Sequence, residues 1–411
     1  MPASTPTSQP TRRQLTAWRN ALFVIFALCG VGLASWAARV PAVKDALELT
    51  SSQLGVLLFG IAAGSIVGLV AASHLVSTFG ARTVITGALA TAPVGLAAAS
   101  FAATELHNFA FTFVALAVFG AGTGICDVAM NVSGAANERA LARTVMPVYH
   151  AFFSGGTVAG AGLGAFAEKL AIPFALHIGV LAVLIVVVTF STVRLLQPEV
   201  VVAEPSTGAP AAPPHGTWRS RLSSWRDPRT LVIGLIVLGM AFAEGSATDW
   251  LPIAMVDGHG TDRPTGALVF GVFVSAMTIG RLAGVSVLDR FGRVPVLRAS
   301  AVLACIGLLM LIFVPIIWVA VVGVVFWGLG ASLGFPVGMS AAADDPSAAA
   351  ARVSAVATIG YLAFLVGPPV IGFLADQFGI LNGLLLVLVL VAAAGAVSPA
   401  AREPRKTTVA S

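Results

Sequence analysis

The run FAFTFVALAVFGAGTGIC, Phe109–Cys126, holds eighteen consecutive residues without one charge. Wound as a helix it is about 27 Å long, close to the ~30 Å hydrocarbon thickness of a bilayer. Comparable runs recur at 21–38, 54–72, 84–101, 109–131, 151–167, 173–193, 231–249, 266–288, 296–315, 317–339, 353–375 and 381–397, twelve in all. Soluble chains carry about 25% charged residues; this one has 10%, with 57% hydrophobic. That is too little polar surface to face water, so lipid is the expected solvent. Lipid offers no partner to free backbone groups, which leaves helices or a closed barrel. Continuous apolar runs, rather than alternating ten-residue segments, select helices.

The net charge of +5 invites a nucleic-acid reading, but the placement of the basic residues argues otherwise. With the N-terminus inside, 18 of the 23 Lys and Arg fall in segments on one side of the membrane. Arg281 lies within a span, and only Arg39, Lys44, Lys169 and Arg263 fall on the other side. This bias predicts both termini in the cytoplasm of a multi-pass plasma (inner) membrane protein and explains the charge without nucleic acid. Arg12-Arg13 before an apolar run faintly resembles a secretion signal, yet eleven further spans argue against its removal. Cys29, Cys126 and Cys305 all lie in apolar runs without metal-like spacing and read as packing residues.

Internal repetition organises the spans. SWAARVP (35–41) matches SATDWLP (246–252) at an offset of 211, LVSTFGAR (75–82) matches VLDRFGRV (287–294) at 212, and LGAFAE (163–168) matches IGFLAD (371–376) at 208. The predicted plan is an N-terminal tail at 1–20, a six-helix bundle at 21–195, a linker at 196–229, a second six-helix bundle at 230–398 and a tail at 399–411. Within the linker, Trp218, Leu222 and Trp225 follow helical spacing beside Arg219, Arg221, Arg226 and Arg229, the pattern of a short helix at a lipid surface. The fold class is thus an all-α membrane protein, twelve transmembrane helices in two pseudo-symmetric bundles around a central cavity, as duplicated secondary transporters are built.

The DRFGR loop, Asp289–Arg293, carries a resemblance. The sequence resembles the major facilitator superfamily, whose loop motif runs Gly-x-x-x-Asp-Arg-x-Gly-Arg-Arg; Asp289, Arg290, Gly292 and Arg293 match it, whereas Val285 and Val294 depart from it. The first-half copy keeps only Gly80 and Arg82. GLASWAARVP, CDVAMN and EGSATDWLP are similar to a fucose-permease-like branch of bacterial permeases. The resemblance implies that the loop charges act as a latch on the cytoplasmic side. Asp289 and Arg290 are then expected to pair with Glu138, Arg139 or Arg143; the plainer reading is a topology-setting basic loop.

Ionisable groups within spans are costly and tend to face a cavity or a partner. Asp127, with Asn131 four residues on and His150 entering the next span, is the candidate proton carrier; a structural hydrogen bond is the plainer alternative. The glycines of GAGTG just before it read as a helix-packing seam rather than a phosphate loop. Glu244 is the second acid, with Thr248 on its face, and reads as a substrate or second proton site against a packing hydrogen bond. Asp249 and Trp36 are placed near the outer rim of the cavity; pairing of Arg39 with Asp249 across its mouth and snorkelling of both side chains to the rim explain them equally well. Glu168 and Asp376 occupy equivalent span ends and are assigned a shared structural role; His177 is read as a core residue. Arg281 either attracts an anionic solute or pairs with Asp289, and the pairing is the simpler reading.

Drug-proton antiporters of the resembled family carry an Arg where Leu116 stands and a Pro where Ala161 stands. Both absences favour a proton-coupled symporter of a small polar solute, sugar- or nucleobase-sized and neutral or cationic, over drug or metabolite efflux. A membrane sensor on the same scaffold is the alternative of another class. No nucleotide loop, catalytic constellation or metal spacing is present in the sequence, so neither enzyme activity nor cofactor is expected. The expected partners are the solute, protons and the bilayer, and the expected working unit is a monomer.

Overall fold

A computed structural model describes residues 10–197, 225–345 and 348–403. Among them are fifteen α-helices and no strand. The first half holds α1 (Arg12–Ala37), α2 (Val40–Ala46), α3 (Ser51–Phe79), α4 (Ala81–Thr104), α5 (Phe109–Leu141), α6 (Met146–Lys169) and α7 (Phe174–Thr192). The second holds α8 (Pro228–Ile253), α9 (Arg263–Phe291), α10 (Arg293–Phe313), α11 (Ile317–Ala331), α12 (Gly334–Ala342), α13 (Ala349–Phe378), α14 (Ile380–Gly383) and α15 (Leu385–Ala396). All twelve predicted spans are helical. The tenth is divided into α11 and α12, and the twelfth into α14 and α15. Ten helical stretches are long and apolar enough to cross a bilayer. The last, Ile380–Ala396, is shorter; α6 is diluted by five glycines. Val70 and Trp318 are 78% and 80% exposed, a placement that lipid rewards and water does not.

Local chemistry sets the helix ends. Asn108 caps α5 by accepting from the Phe111 N–H at 2.8 Å. Asp227 caps α8, ahead of Pro228, and Asp262 caps α9, accepting from the Thr265 N–H at 3.0 Å. Three Phe-Gly pairs end long helices: Gly80, Gly292 and Gly379 have φ of +75°, +75° and +83°. A left-handed residue lets one helix stop and the next begin at once, and glycine takes that conformation without steric cost. Gly80 and Gly292 stand 212 positions apart, so the repeat seen in sequence is also a repeat of backbone geometry.

Glycine seams bring backbones together. A Cβ at Gly64 would lie 2.0 Å from the Ala117 carbonyl oxygen, and one at Gly120 would lie 2.0 Å from that of Ile61. The GAGTG run is therefore the α3–α5 packing seam. In the second half, Gly307 of α10 and Gly323 of α11 do the same for each other. The described residues divide into two compact units. One gathers those within Met1–Ala34, Gly60–Gly160 and Pro173–Val202; the other those within Ser35–Phe59, Ala161–Ile172 and Ala203–Ser411. The second unit thus includes the ends of α1, α3 and α6 as well as α2, all of them first-half segments.

Replacing Gly64 with Leu should cost about 1–3 kcal/mol or more, since the neighbouring atom is rigid backbone. Gly87→Leu, where nothing lies within 4 Å, should cost far less. Thermal unfolding of the two detergent-purified variants checks the difference.

Candidate functional site

In the second unit, α8 and α9 run side by side, and an ion pair joins them deep in the spans. Glu244 lies sixteen residues into α8, about 24 Å along it, and Arg281 lies ten residues from the end of α9, about 15 Å. Arg281 Nη2 donates to Glu244 Oε1 at 2.8 Å. The two side chains keep 33% and 23% exposure. Arg281 therefore does not pair with Asp289, as the sequence suggested. Asp289 is two turns further along α9, at its end, while Glu244 meets the guanidinium from the neighbouring helix. Thr248 donates its hydroxyl to the Glu244 carbonyl at 3.1 Å, on the face expected.

Arg39 also has a different partner from the one expected. Its Nε donates to Glu168 Oε1 at 2.8 Å and its Nη2 to the Ile172 carbonyl at 3.0 Å. The side chains are only 4% and 7% exposed. The turn after α1 directs Arg39 toward the end of α6, so it does not reach Asp249. Trp36 is 2% exposed and packs within the unit rather than lining an opening. Asp249 is half-buried in α8, and no described residue pairs with it.

In the first unit, α5 runs ten residues beyond the predicted end at Asn131, which places Asp127 in the helix interior. Asn131 donates to the Asp127 carbonyl at 2.8 Å and to its Oδ1 at 3.2 Å. His150 of α6 lies close enough to interact electrostatically with the Asp127 carboxylate and sets its ring edge-on to Phe26, 5.3 Å between centroids. These three candidate residues are brought together. Beside them Cys29 and Cys126 touch at 3.7 Å, and Cys29 lies 3.9 Å from the Met130 sulfur, filling the α1–α5 contact. His177 is only half-buried on α7 and plays no part in this group.

The end of the second unit that carries α2 holds a cluster the sequence reading missed. Lys44 pairs with Asp257, and the adjacent Asp45 pairs with Arg263, whose Nε donates at 3.0 Å. Asp257 sits on a π-helical turn, Ala254–Gly258, that continues α8. Asp376, at the end of α13, accepts the N–H groups of Ser51 and Ser52 at 2.7 and 2.9 Å and so closes the start of α3. Glu168 and Asp376, equivalent in the repeat, both secure helix ends here, one through a side chain and one through backbone. The signal available in sequence was the scarcity of charge on this side: Lys44 and Arg263 stood out, but nothing gave their partners.

At the opposite end of this unit, Gly292 turns the chain between α9 and α10. Arg293 Nη1 donates to Asp344 at 2.7 Å and its Nη2 to Ser340 at 3.0 Å; Arg229 reaches the same Asp344 at 3.0 Å. Glu403 accepts the Arg293 N–H at 2.7 Å, and that bond holds its carboxyl below the usual range. Asp289 lines a cavity of ≈ 270 Å³ with Arg293, Ser340 and Glu403. Arg290 lies over the Phe291 ring at 5.4 Å. Glu138, in the first unit, accepts the Val145 and Met146 N–H groups, both at 2.6 Å, and so braces its own loop; Arg139 and Arg143 are exposed. Of the expected surface helix, 218–224 lies outside the described residues, and Trp225 is exposed.

A bundle of long apolar helices in two related halves, with charged groups paired inside the spans, defines a polytopic membrane transporter fold. The sequence profile of the Major Facilitator Superfamily matches residues 21–285 and 250–410, and the chain belongs to that family. It is 31% identical over 392 residues to an uncharacterised MFS-type transporter of Yersinia pestis, covering 94% of this chain and 96% of that one. Its fold is similar to that of the nucleoside transporter NupG (TM-score 0.70, 14% identity, 94% and 98% of the two chains). It is also similar to that of the E. coli fucose:proton symporter FucP (TM-score 0.61, 18% identity, 94% and 98%).

Removing Arg39 leaves the sealed Glu168 without its counter-charge, a change that typically costs about 3–5 kcal/mol. Arg39→Met should lower the unfolding temperature sharply. Arg39→Met with Glu168→Gln should recover much of the loss, read from thermal unfolding in detergent.

Proposed function

We propose that this chain is a secondary active transporter that works by alternating access and carries a small polar organic solute, of sugar or nucleobase size, together with protons. The observation that carries the reading is the Asp127–Asn131–His150 group, an ionisable cluster inside apolar helices of a Major Facilitator Superfamily chain. A carboxylate in such a place is costly to keep, and groups of this kind face a cavity or a partner and commonly serve proton or solute pathways. FucP, whose fold is similar, is itself a fucose:proton symporter. Leu116 and Ala161, standing where drug antiporters of the family carry Arg and Pro, favour uptake over efflux. The basic bias of the loops supports both termini in the cytoplasm of the inner membrane, with the monomer as the working unit.

The cluster around Lys44 and Asp45 supports a moving part. It ties first-half segments to second-half helices, and a solute leaving or entering at that end requires the ties to part. The two ion pairs are half-open to solvent, 18% with 32% and 42% with 51% exposed, and pairs of that kind contribute about 0.2–1 kcal/mol each. One proton moving down 100 mV releases about 2.3 kcal/mol. The ties are therefore weak enough to break in every cycle.

Solute uptake into proteoliposomes with an imposed pH gradient tests the reading. Asp127→Asn should abolish proton-driven accumulation while leaving the protein folded and capable of downhill exchange. Accumulation at the normal rate in that variant would remove Asp127 as the carrier.

A further inference from the structure

The Arg39–Glu168 and Arg281–Glu244 pairs of the second unit differ in a way that separates support from recognition. Arg39 and Glu168 are sealed, and Arg39 has a second acceptor in Ile172. Such a pair is complete in itself. Arg281 and Glu244 keep about a third and a quarter of their exposure, and a single contact joins them. A guanidinium has five N–H donors. One is used here, and the other four have no partner among the described residues; on Glu244 one oxygen is open. The unused capacity of the pair is thus mostly donor, and a ligand that satisfies it must be rich in acceptors. Arg281 also lies deep within its span, ten residues from the end of α9, where a charged group is costly to keep.

We propose that Arg281 recognises a carboxylate on the transported solute, which takes the guanidinium over from Glu244. The planar fork accepts a carboxylate through two parallel N–H bonds, a geometry an ammonium group does not offer. Glu244 then acts as the internal stand-in that holds Arg281 in place while the site is empty. Thr248, whose hydroxyl hydrogen is taken by the Glu244 carbonyl, offers its lone pairs to a neighbouring hydroxyl of the solute. A cationic solute would find Glu244 already held. A neutral polyol would leave most of the arginine donors without a charged acceptor. The assignment rests on the transport reading and narrows its solute to an acid, in place of the neutral or cationic solute that the intramembrane acids alone suggested.

The test is a thermal-shift and calorimetric screen of the purified full-length protein against organic acids, each matched with its methyl ester, the corresponding alcohol and the corresponding amine. At least one acid should bind and its ester should not. Glu244→Gln, which frees the guanidinium, should tighten that acid about tenfold or more. Arg281→Gln should abolish its binding, and Arg281→Lys should weaken it. The double variant Glu244→Gln, Arg281→Gln keeps a neutral hydrogen-bonding pair and controls for folding. Binding confined to alcohols or amines, an acid whose affinity survives Arg281→Gln, or no acid bound at all would overturn the proposal. Flux in proteoliposomes separates the two readings. Acid binding without uptake would leave Arg281 standing and sink transport; uptake of a neutral solute by Arg281→Gln at the wild-type rate would do the reverse.

Discussion

Hydrocarbon solvates neither charge nor free peptide groups, and every feature of this molecule answers to that fact. Twelve apolar spans become helices because a helix satisfies its own backbone. Charges are then confined to helix ends or to paired and hydrogen-bonded groups inside the spans. The Arg39–Glu168 pair is sealed. Asp127 with Asn131 and His150, and Glu244 with Arg281, are not. The division between complete and incomplete pairs is the physical ground on which Asp127 and Arg281 are proposed as working groups.

Without a hydrophobic driving force between helices in lipid, close packing must come from small side chains. The Gly64–Ala117, Gly120–Ile61 and Gly307–Gly323 approaches supply it. The Phe-Gly hinges at Gly80, Gly292 and Gly379 let long helices reverse without intervening loop. Beyond these seams, at one end of the second unit, Lys44, Asp45, Asp257, Arg263 and Asp376 hold first-half segments to second-half helices through contacts that water can replace.

What could be read from sequence followed the range of the interaction. Spans and the GAGTG seam are local patterns, and all twelve spans are helical. The Asp127–Asn131 contact is an i,i+4 relation and was equally legible. Partners distant in sequence were not. Arg39 lies 129 residues from Glu168, and Arg281 lies 37 from Glu244. Pattern alone assigned Arg281 to Asp289, eight residues on, and Arg39 to Asp249, which lies near its counterpart position in the repeat. Asp344, which joins Arg229 and Arg293, belongs to no motif and was not singled out. The break at Leu384 follows Asn382 and Gly383, a turn pair that the length of the apolar run masked, and the break at Ser332 lies between Gly330 and Gly334, small residues that read equally well as helix packing.

The proposed transport cycle requires the ties from α2 to the turn after α8 and to the start of α9 to open each time. Replacing Cys29, Cys126 and Cys305 with serine and introducing Asp45→Cys with Arg263→Cys allows those two positions to be joined by a short, reducible bis-methanethiosulfonate crosslinker in proteoliposomes. Crosslinking should stop solute exchange, and a reducing agent should restore it. Exchange that continues at full rate with the crosslink complete would contradict that requirement.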